Sequence, residues 1–173
     1  MIEEKDVVLL AHLRKNARAK LTHISKQTDI PVSTMFERIR TPLSSCIRKY
    51  TCLLNNSELG FNSRATLILK VDKEQKHDIG QFLEKHQNVN SLYRINNGYD
   101  FLIDVIFRQM ADLEEFIEQL ERKFRIKHKE VYFIIDEVKQ EAFLADPQTA
   151  LFLFDGQPRQ KAAKEAKKEA KGK

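Results

Sequence analysis

The sequence predicts an α+β chain, with an N-terminal winged helix-turn-helix joined by a strand to a C-terminal βαββαβ domain of ferredoxin-like order. Three observations carry this. Residues 21–43 hold two short helical patterns on either side of Asp29-Ile30-Pro31. Residues 65–136 switch repeatedly between the period-two pattern of strands and the three-and-four spacing of helices. The charge also changes sign near residue 60. Residues 1–60 carry ten Lys/Arg against six Asp/Glu, residues 61–146 thirteen against sixteen, and residues 147–173 seven against three. A basic front and a basic tail suit a polyanionic partner, or simply a solvated surface.

With 173 residues and 42% hydrophobic content, the chain can bury a core in one average or two small domains. The expected boundaries are 1–46 for the helix-turn-helix, 47–62 for a linking strand and turn, and 63–145 for the βαββαβ domain. A short apolar extension at 146–157 and a basic tail at 158–173 complete the chain. Cys46 and Cys52 lie in an apolar stretch with no Cys/His partners at zinc spacing, so they read as buried small hydrophobes in a reducing cytosol, and no metal is expected. There is no run of eighteen apolar residues, and the N-terminus is acidic where a signal peptide would be basic. A soluble, cytoplasmic protein without a membrane partner is the expectation.

Taken in order, Val7, Leu9, Leu10, Ala11 and Leu13 form a broad apolar stripe on a first helix over 3–15. After a break at 16–19, Leu21, Ile24, Ser25 and Thr28 line the inner face of a second helix. Asp29 supplies turn hydrogen bonding, and Pro31 suits the first turn of a third helix starting near Val32. On that helix Val32, Met35, Phe36 and Ile39 form the docking face, whereas Ser33, Thr34, Glu37, Arg38 and Arg40 lie mostly on other faces. Pro42 ends it after about ten residues, or ~15 Å, enough to span a major groove. These five polar residues are the candidate DNA-reading set, because Arg binds phosphate or guanine and Ser/Thr bind base edges or backbone. Arg38 has a second reading as an intramolecular ion-pair partner.

Residues 47–54 read as the linking strand, closed by a turn at Asn55-Asn56-Ser57. The first strand of the second domain follows, with Ala65, Leu67, Leu69 and Val71 on one face. A helix carrying Ile79, Phe82, Leu83 and His86 leads to a strand over 89–95. Asn96-Asn97-Gly98 then signals a hairpin, since Asn and Gly tolerate positive φ. Phe101, Ile103, Val105 and Phe107 alternate inward on the next strand. Leu113, Phe116, Ile117, Leu120 and Phe124 mark a strongly amphipathic helix, and residues 130–136 the last strand. The two helices cover one sheet face only. The other would show Thr66, Ile68, Leu102, Ile106, Tyr132 and Ile134, an apolar surface that must be covered either by a second copy or by Phe143, Leu144 and residues 149–154 folding back. Residues 149–154 read as a short strand or interface segment. The Lys/Ala/Glu-rich residues that follow have no large apolar side chain to pack, so they serve as a solubilising tail or as added phosphate contacts.

One resemblance ties these pieces together. Lys5-Asp6, Leu9-Leu10, Asn16-Ala17-Arg18, the helix-turn-helix, Tyr50-Thr51-Cys52-Leu53-Leu54-Asn55 through Leu59-Gly60, and Asn97-Gly98-Tyr99-Asp100 occur in the order seen in the Lrp/AsnC family. The chain is similar to that family over about residues 3–145. The resemblance implies a transcription regulator that binds double-stranded DNA, dimerises through its C-terminal sheets, often builds octamers, and takes a small effector, commonly an amino acid, near the dimer contact. It places Ser33, Thr34, Arg38 and Arg40 at or near DNA, and Asn97, Gly98, Tyr99 and Asp100 beside the effector. No cofactor or catalytic residue is implied. The chain departs from the family pattern at residues 41–46, one residue short and without Gly, and at Gly98, one position later than the family's hairpin Gly. Two other readings share the architecture. One is an enzyme resembling siroheme decarboxylases, with His77, His86 and His128 as acid/base groups, and the other is a sensing partner without DNA binding.

Overall fold

The computed structural model describes residues 2–155, so the basic tail at 158–173 and the end of the apolar extension lie outside the described residues. The chain divides into two units, one made of the residues up to 53 together with the chain from 139 onward, the other of residues 54–138.

The first unit holds α1 (Glu4–Lys15), α2 (Leu21–Thr28), α3 (Val32–Arg40) and α6 (Pro147–Asp155). Helix α1 opens with a capping box in which the Glu3 side chain accepts from the backbone N–H of Asp6, and the Asp6 carboxylate accepts from the Glu3 N–H at 2.7 Å. Leu9 and Leu13 of α1 meet Ile24 of α2, Met35 of α3 and Leu43 in a small core. The turn between α2 and α3 is made by backbone. Asp29 sits at φ 55 and donates its N–H to the Ser25 carbonyl at 2.9 Å, so it ends α2 by conformation where a side-chain cap was expected. Pro31 stands just before α3, with φ near its fixed value.

Two expectations about α3 and its exit change here. Met35 and Ile39 dock the helix, but Phe36 is 61% exposed and Val32 also faces out, because the buried stripe is completed by Arg38 instead. Its guanidinium reaches across to Asp6, whose side chain has no exposed area. The Arg38 Nε lies 2.5 Å from one Asp6 oxygen, its Nη2 binds the other, and its Nη1 pairs with Glu3 at 3.2 Å. After α3, a 3-10 turn at Leu43–Ser45 drives Leu43 into the core and leaves both Cys46 and Cys52 exposed, not buried as expected. Residues 47–54 pair with no strand among the described residues and run irregularly, since extended backbone is held in place by pairing.

Residues 149–154 form neither a strand nor a cover for the sheet. They belong to α6, whose fully buried Ala150 packs with Leu144 and Leu151 on Val7 and Ala11 of α1. The physical reason is that α1 has a second apolar stripe, at Val7 and Ala11, which α2 and α3 do not reach.

The second unit contains β1 (Ser63–Val71), α4 (Lys76–Lys85), β2 (Val89–Arg94), β3 (Phe101–Phe107), α5 (Met110–Lys123) and β4 (Ile126–Phe133), the anticipated βαββαβ order. The sheet is antiparallel throughout with strand order β2-β3-β1-β4. Alternate residues Ala65, Leu67, Leu69 and Val71 of β1, and Phe101, Ile103, Val105 and Phe107 of β3, are buried against Ile79 and Leu83 of α4 and Leu113, Phe116, Ile117 and Leu120 of α5. Strand β4 begins four residues before the expected position. Its register is set by β1, pairing Ile126 with Val71 and Phe133 with Ala65, and the charged run from Lys127 to Glu130 hides that part of the strand from hydropathy. Ile135, expected within the strand, is almost fully exposed beyond it.

Two glycines give opposite expectations. At Gly98, φ is +89 and an added Cβ would meet no atom within 4 Å, so Gly98→Ala is expected to cost about 1 kcal/mol through backbone conformation alone. At Gly80, inside α4, a Cβ would touch Phe101 at an ordinary 3.5 Å, so Gly80→Ala is expected to gain up to about 1 kcal/mol. Urea denaturation of the two variants checks both signs. For the helix lock, Arg38→Ala is expected to destabilise the first unit by about 3 kcal/mol, because it strands the buried Asp6 carboxylate. The bond from Arg38 holds the Asp6 carboxyl below its ordinary value against the opposing effect of burial. A carboxyl lowered in the folded state contributes its stability in full above the unfolded value of about 3.9 and loses it as pH falls through the native value. The stability gap between the parent and Asp6→Asn should therefore be constant at neutral pH and shrink below about pH 4; thermal melts across that range measure it.

Candidate nucleic-acid interface and effector cavity

On α3, residues 33, 36, 37 and 40 follow the helical repeat, and all four are exposed. Ser33, Glu37 and Arg40 thus share an outward stripe with Phe36, while Thr34 is half-buried to one side. Arg38 does not join the stripe. Its carboxylate partners raise its already high pKa, so it is a permanent cation whose charge is met inside the unit. Of the five predicted residues, Ser33, Glu37 and Arg40 stand free to meet a ligand, Thr34 is at the margin, and Arg38 positions the helix. Asp6 was not singled out for this role, although an acidic residue three positions after Glu3, just before the apolar run from Val7, was the available capping-box signal.

The four predicted effector residues also divide. The hairpin joining β2 and β3 has Asn97 at φ 62 and Gly98 at φ 89, the conformations that Asn and Gly adopt at least cost. Asn97 is exposed at the tip. Asp100 turns inward. Its backbone N–H donates to the Leu69 carbonyl and its carboxylate accepts from the Val71 N–H, both at 2.9 Å, and the Lys76 ammonium pairs with it. Burial opposes the Asp100 charge, but the Lys76 and Val71 bonds outweigh it and hold the carboxyl below the usual range. Asp100 therefore clips the hairpin to β1 and the start of α4.

Gly98 and Tyr99 line a shallow cavity of about 470 Å³ with Lys70, Lys127 and His128. Behind it, the hydroxyls of Tyr99 and Tyr132 both donate to Glu130, the latter at 2.5 Å, and His128 Nε2 lies 3.6 Å from the same carboxylate. Two phenols on one carboxylate lower the Glu130 pKa, Tyr132 more than Tyr99, and the negative charge in turn raises both phenols. Glu130, Tyr132 and the two lysines were not predicted as site residues, because they lie about thirty residues from the hairpin and meet it only through the β1 ladder.

A larger cavity of about 610 Å³ lies elsewhere on this unit, lined in part by His86, Phe107, Arg108, Glu115 and Phe116. Here His86 packs on Phe116 with ring centroids 4.5 Å apart, and burial lowers its pKa. The three histidines considered for acid/base chemistry are not brought together. His77 bonds Gln81 on its own helix at 3.0 Å, His86 sits among phenylalanines, and His128 stacks near Tyr99 on β4. Among the described residues, no group of three or more His, Cys, Asp or Glu could hold a metal ion. No helix among them is long and apolar enough to cross a membrane.

The sheet face opposite α4 and α5 carries Tyr93, Leu102, Ile68 and Glu130 in one cross-strand row, and Ser91, Asp104, Thr66 and Tyr132 in the next. Thr66 donates to Asp104 at 2.8 Å, so the polar centre is internally satisfied. The flanks remain open, with Tyr93 54% and Tyr132 53% exposed and Ile134 exposed beside them.

Comparison with known proteins places this geometry. Residues 64–143 match the family model of the Lrp/AsnC ligand binding domain. The HTH-type transcriptional regulator FL11 of Pyrococcus abyssi is 28% identical over 118 residues, covering 68% of this chain and 78% of that protein. FL11 of Pyrococcus furiosus is 26% identical over 121 residues, covering 69% and 80%. Among solved structures, a transcriptional regulator from Neisseria meningitidis in complex with L-Met superposes with a TM-score of 0.75 at 18% identity, covering 81% of this chain and 94% of that one. LrpC of B. subtilis gives 0.72 at 17% identity, covering 80% and 98%. At these identities the structural likeness establishes the fold, and what the family model shows is confined to one domain: residues 64–143 are similar to the Lrp/AsnC ligand binding domain.

Proposed function

We propose that this protein is a DNA-binding transcription regulator, that it acts as a dimer or higher oligomer formed through the open sheet face, and that a small effector such as an amino acid tunes it. The observation that carries the reading is α3. It is fixed to α1 by the Arg38 pairs with Asp6 and Glu3, and it presents Ser33, Glu37 and Arg40 outward together. A recognition helix must be rigidly held and chemically free on its outer face, and α3 is both. The names of the Pyrococcus relatives, HTH-type transcriptional regulators, support it.

In this reading Arg40 contacts phosphate or guanine, Ser33 approaches the backbone near the helix start, and Glu37 restricts which base edge is accepted. Thr34 supports Ser33 from the margin, and Arg38 acts by holding the helix. The apolar residues of the open face, Ile68, Leu102 and Ile106 with Tyr93 and Tyr132, form the dimer contact, which removes a surface too apolar for water. The effector occupies the cavity beside Gly98 and Tyr99, with Lys70 offering positive charge to a carboxylate, His128 a ring nitrogen, and Lys127 a cation shared with Asp72. The L-Met held by the Neisseria regulator supports an amino acid as the class of ligand. Asn97 and Asp100 shape the hairpin. No catalytic step is assigned to the chain.

Binding to sheared genomic fragments, measured at two salt concentrations, tests the DNA reading. Arg40→Ala is expected to weaken binding and to reduce the salt slope by about 1 for each helix engaged. Equal affinity and slope in parent and variant would remove Arg40 as a contact, whereas no binding by the parent would leave a sensing partner without DNA binding. For the oligomer, Leu102→Asp places a charge on the open face and is expected to give monomers in sedimentation, with the Leu102→Met control unchanged. For the cavity, Glu130→Gln is expected to lower the ionisation midpoints of Tyr99 and Tyr132, followed by phenolate absorbance, and to weaken amino-acid binding in calorimetry. Unmoved midpoints would refute the shared carboxylate.

A further inference from the structure

Phe36 is the member of the outward stripe of α3 that the DNA contacts proposed above leave unused. It is 61% exposed, and Val32, one turn earlier, is 37% exposed. At about 100° per residue, Phe36, Arg40, Ser33 and Glu37 follow one another across an arc of about 100°. Phe36 therefore forms one border of the stripe and Glu37 the other, with Val32 continuing the apolar side. The inner side of α3 is already taken, by Met35 and Ile39 in the small core and by Arg38 bound to Asp6 and Glu3.

The flanks of the ring decide what can meet it. Ser33, Glu37 and Arg40 hydrogen-bond or carry charge, so a surface that fits all four must offer an isolated apolar group among donors and acceptors. The floor of the DNA major groove is such a surface. Every base pair there shows donors and acceptors, and thymine adds the one apolar group, its 5-methyl. From Ser33 to Arg40 the helix rises about 10 Å, which matches about three base pairs, and Phe36 stands between those ends. Resting on the DNA-binding reading above, we propose that Phe36 is a specificity-determining residue whose ring packs on the 5-methyl group of a thymine in the major groove. Arg40 and Ser33 then fix position and affinity, while Phe36 adds a preference that cytosine, which lacks the methyl, cannot satisfy.

The test needs no change to the protein in its first step. The full chain selects a duplex from a random pool, and each thymine of that duplex is replaced singly by deoxyuridine, which lacks only the methyl. Binding is followed by anisotropy at fixed salt. For the parent, one thymine per engaged helix is expected to weaken binding about fourfold on losing its methyl, the effect of returning one such group to water. Phe36→Ala is expected to bind the thymine duplex more weakly than the parent and to show no difference between the two bases. Arg40→Ala is expected to lose affinity but keep that difference. Because the ring is exposed, the thermal melt of Phe36→Ala is expected at the parent value. A parent indifferent to every methyl overturns the proposal, as does Phe36→Ala that still tells thymine from deoxyuridine. So does Phe36→Ala that changes oligomer size in sedimentation without DNA, because the ring then meets another copy of the chain. The two readings fail separately: a full chain that binds no duplex sinks both, whereas binding that Arg40→Ala weakens and no methyl affects sinks the role of Phe36 alone.

Discussion

A carboxylate with no exposed area must be paired, and in the first unit that requirement orders much of what surrounds it. Asp6 accepts the Glu3 N–H that opens α1 and both limbs of the Arg38 guanidinium from α3. One side chain therefore starts one helix and orients another. The same pairing removes Arg38 from the outer surface of α3 and turns Phe36 out in its place. Bidentate geometry suits this use, because a planar fork on a carboxylate fixes direction as well as distance. The cost of burying the charge is offset by three hydrogen bonds, and the result is a third helix held by chemistry more directional than its small apolar core.

In the second unit the corresponding constraint is geometric. Two helices cover only one face of a four-stranded sheet, so alternation along β1 and β3 sends every second residue to the opposite face, where Tyr93 is 54% and Tyr132 53% exposed on the flanking strands. The centre of that face is made safe by Thr66 bonded to Asp104, and its edge by Glu130 holding Tyr99 and Tyr132. Between these polar points lie Ile68, Leu102 and Ile106. A surface that mixes hydrogen-bonded polar groups with apolar side chains fits the proposed association with a copy of itself, the Asp104 carboxylate at its centre being held by the Thr66 hydroxyl.

Much of this was legible in the sequence because it is local. Helix periodicity, the Asn97-Gly98 turn and the alternating strands each depend on neighbours within a few residues, and α2, α3, β1 and β3 appear close to where their patterns put them. The readings that changed depend on distant partners. Strand β4 lies four residues early because its limits come from the β1 ladder. Residues 149–154 form a helix because α1 offers a second apolar stripe, which a six-residue apolar run does not announce. Cys46 is exposed at the end of the 3-10 turn that buries Leu43, and Cys52 because residues 47–54 pair with no strand among the described residues.

The candidate sites divide along the same line. By itself the sequence determined the order of the elements, the βαββαβ domain whose residues 64–143 match the Lrp/AsnC model, and the hairpin at 97–98, since all of these are encoded by residue order and spacing. Only the tertiary structure decided what each residue does there. Arg38, read in the sequence either as a DNA contact or as an ion-pair partner, is engaged by Asp6, Asp100 is engaged by Lys76 and the Val71 N–H, and Lys70 of β1 with Lys127 and Glu130 of β4 join the hairpin from other strands. The reason is physical. A charged side chain is available or engaged according to what lies within about 3 Å of it, and across 32 residues from Asp6 to Arg38 that proximity is set by the packing of helices.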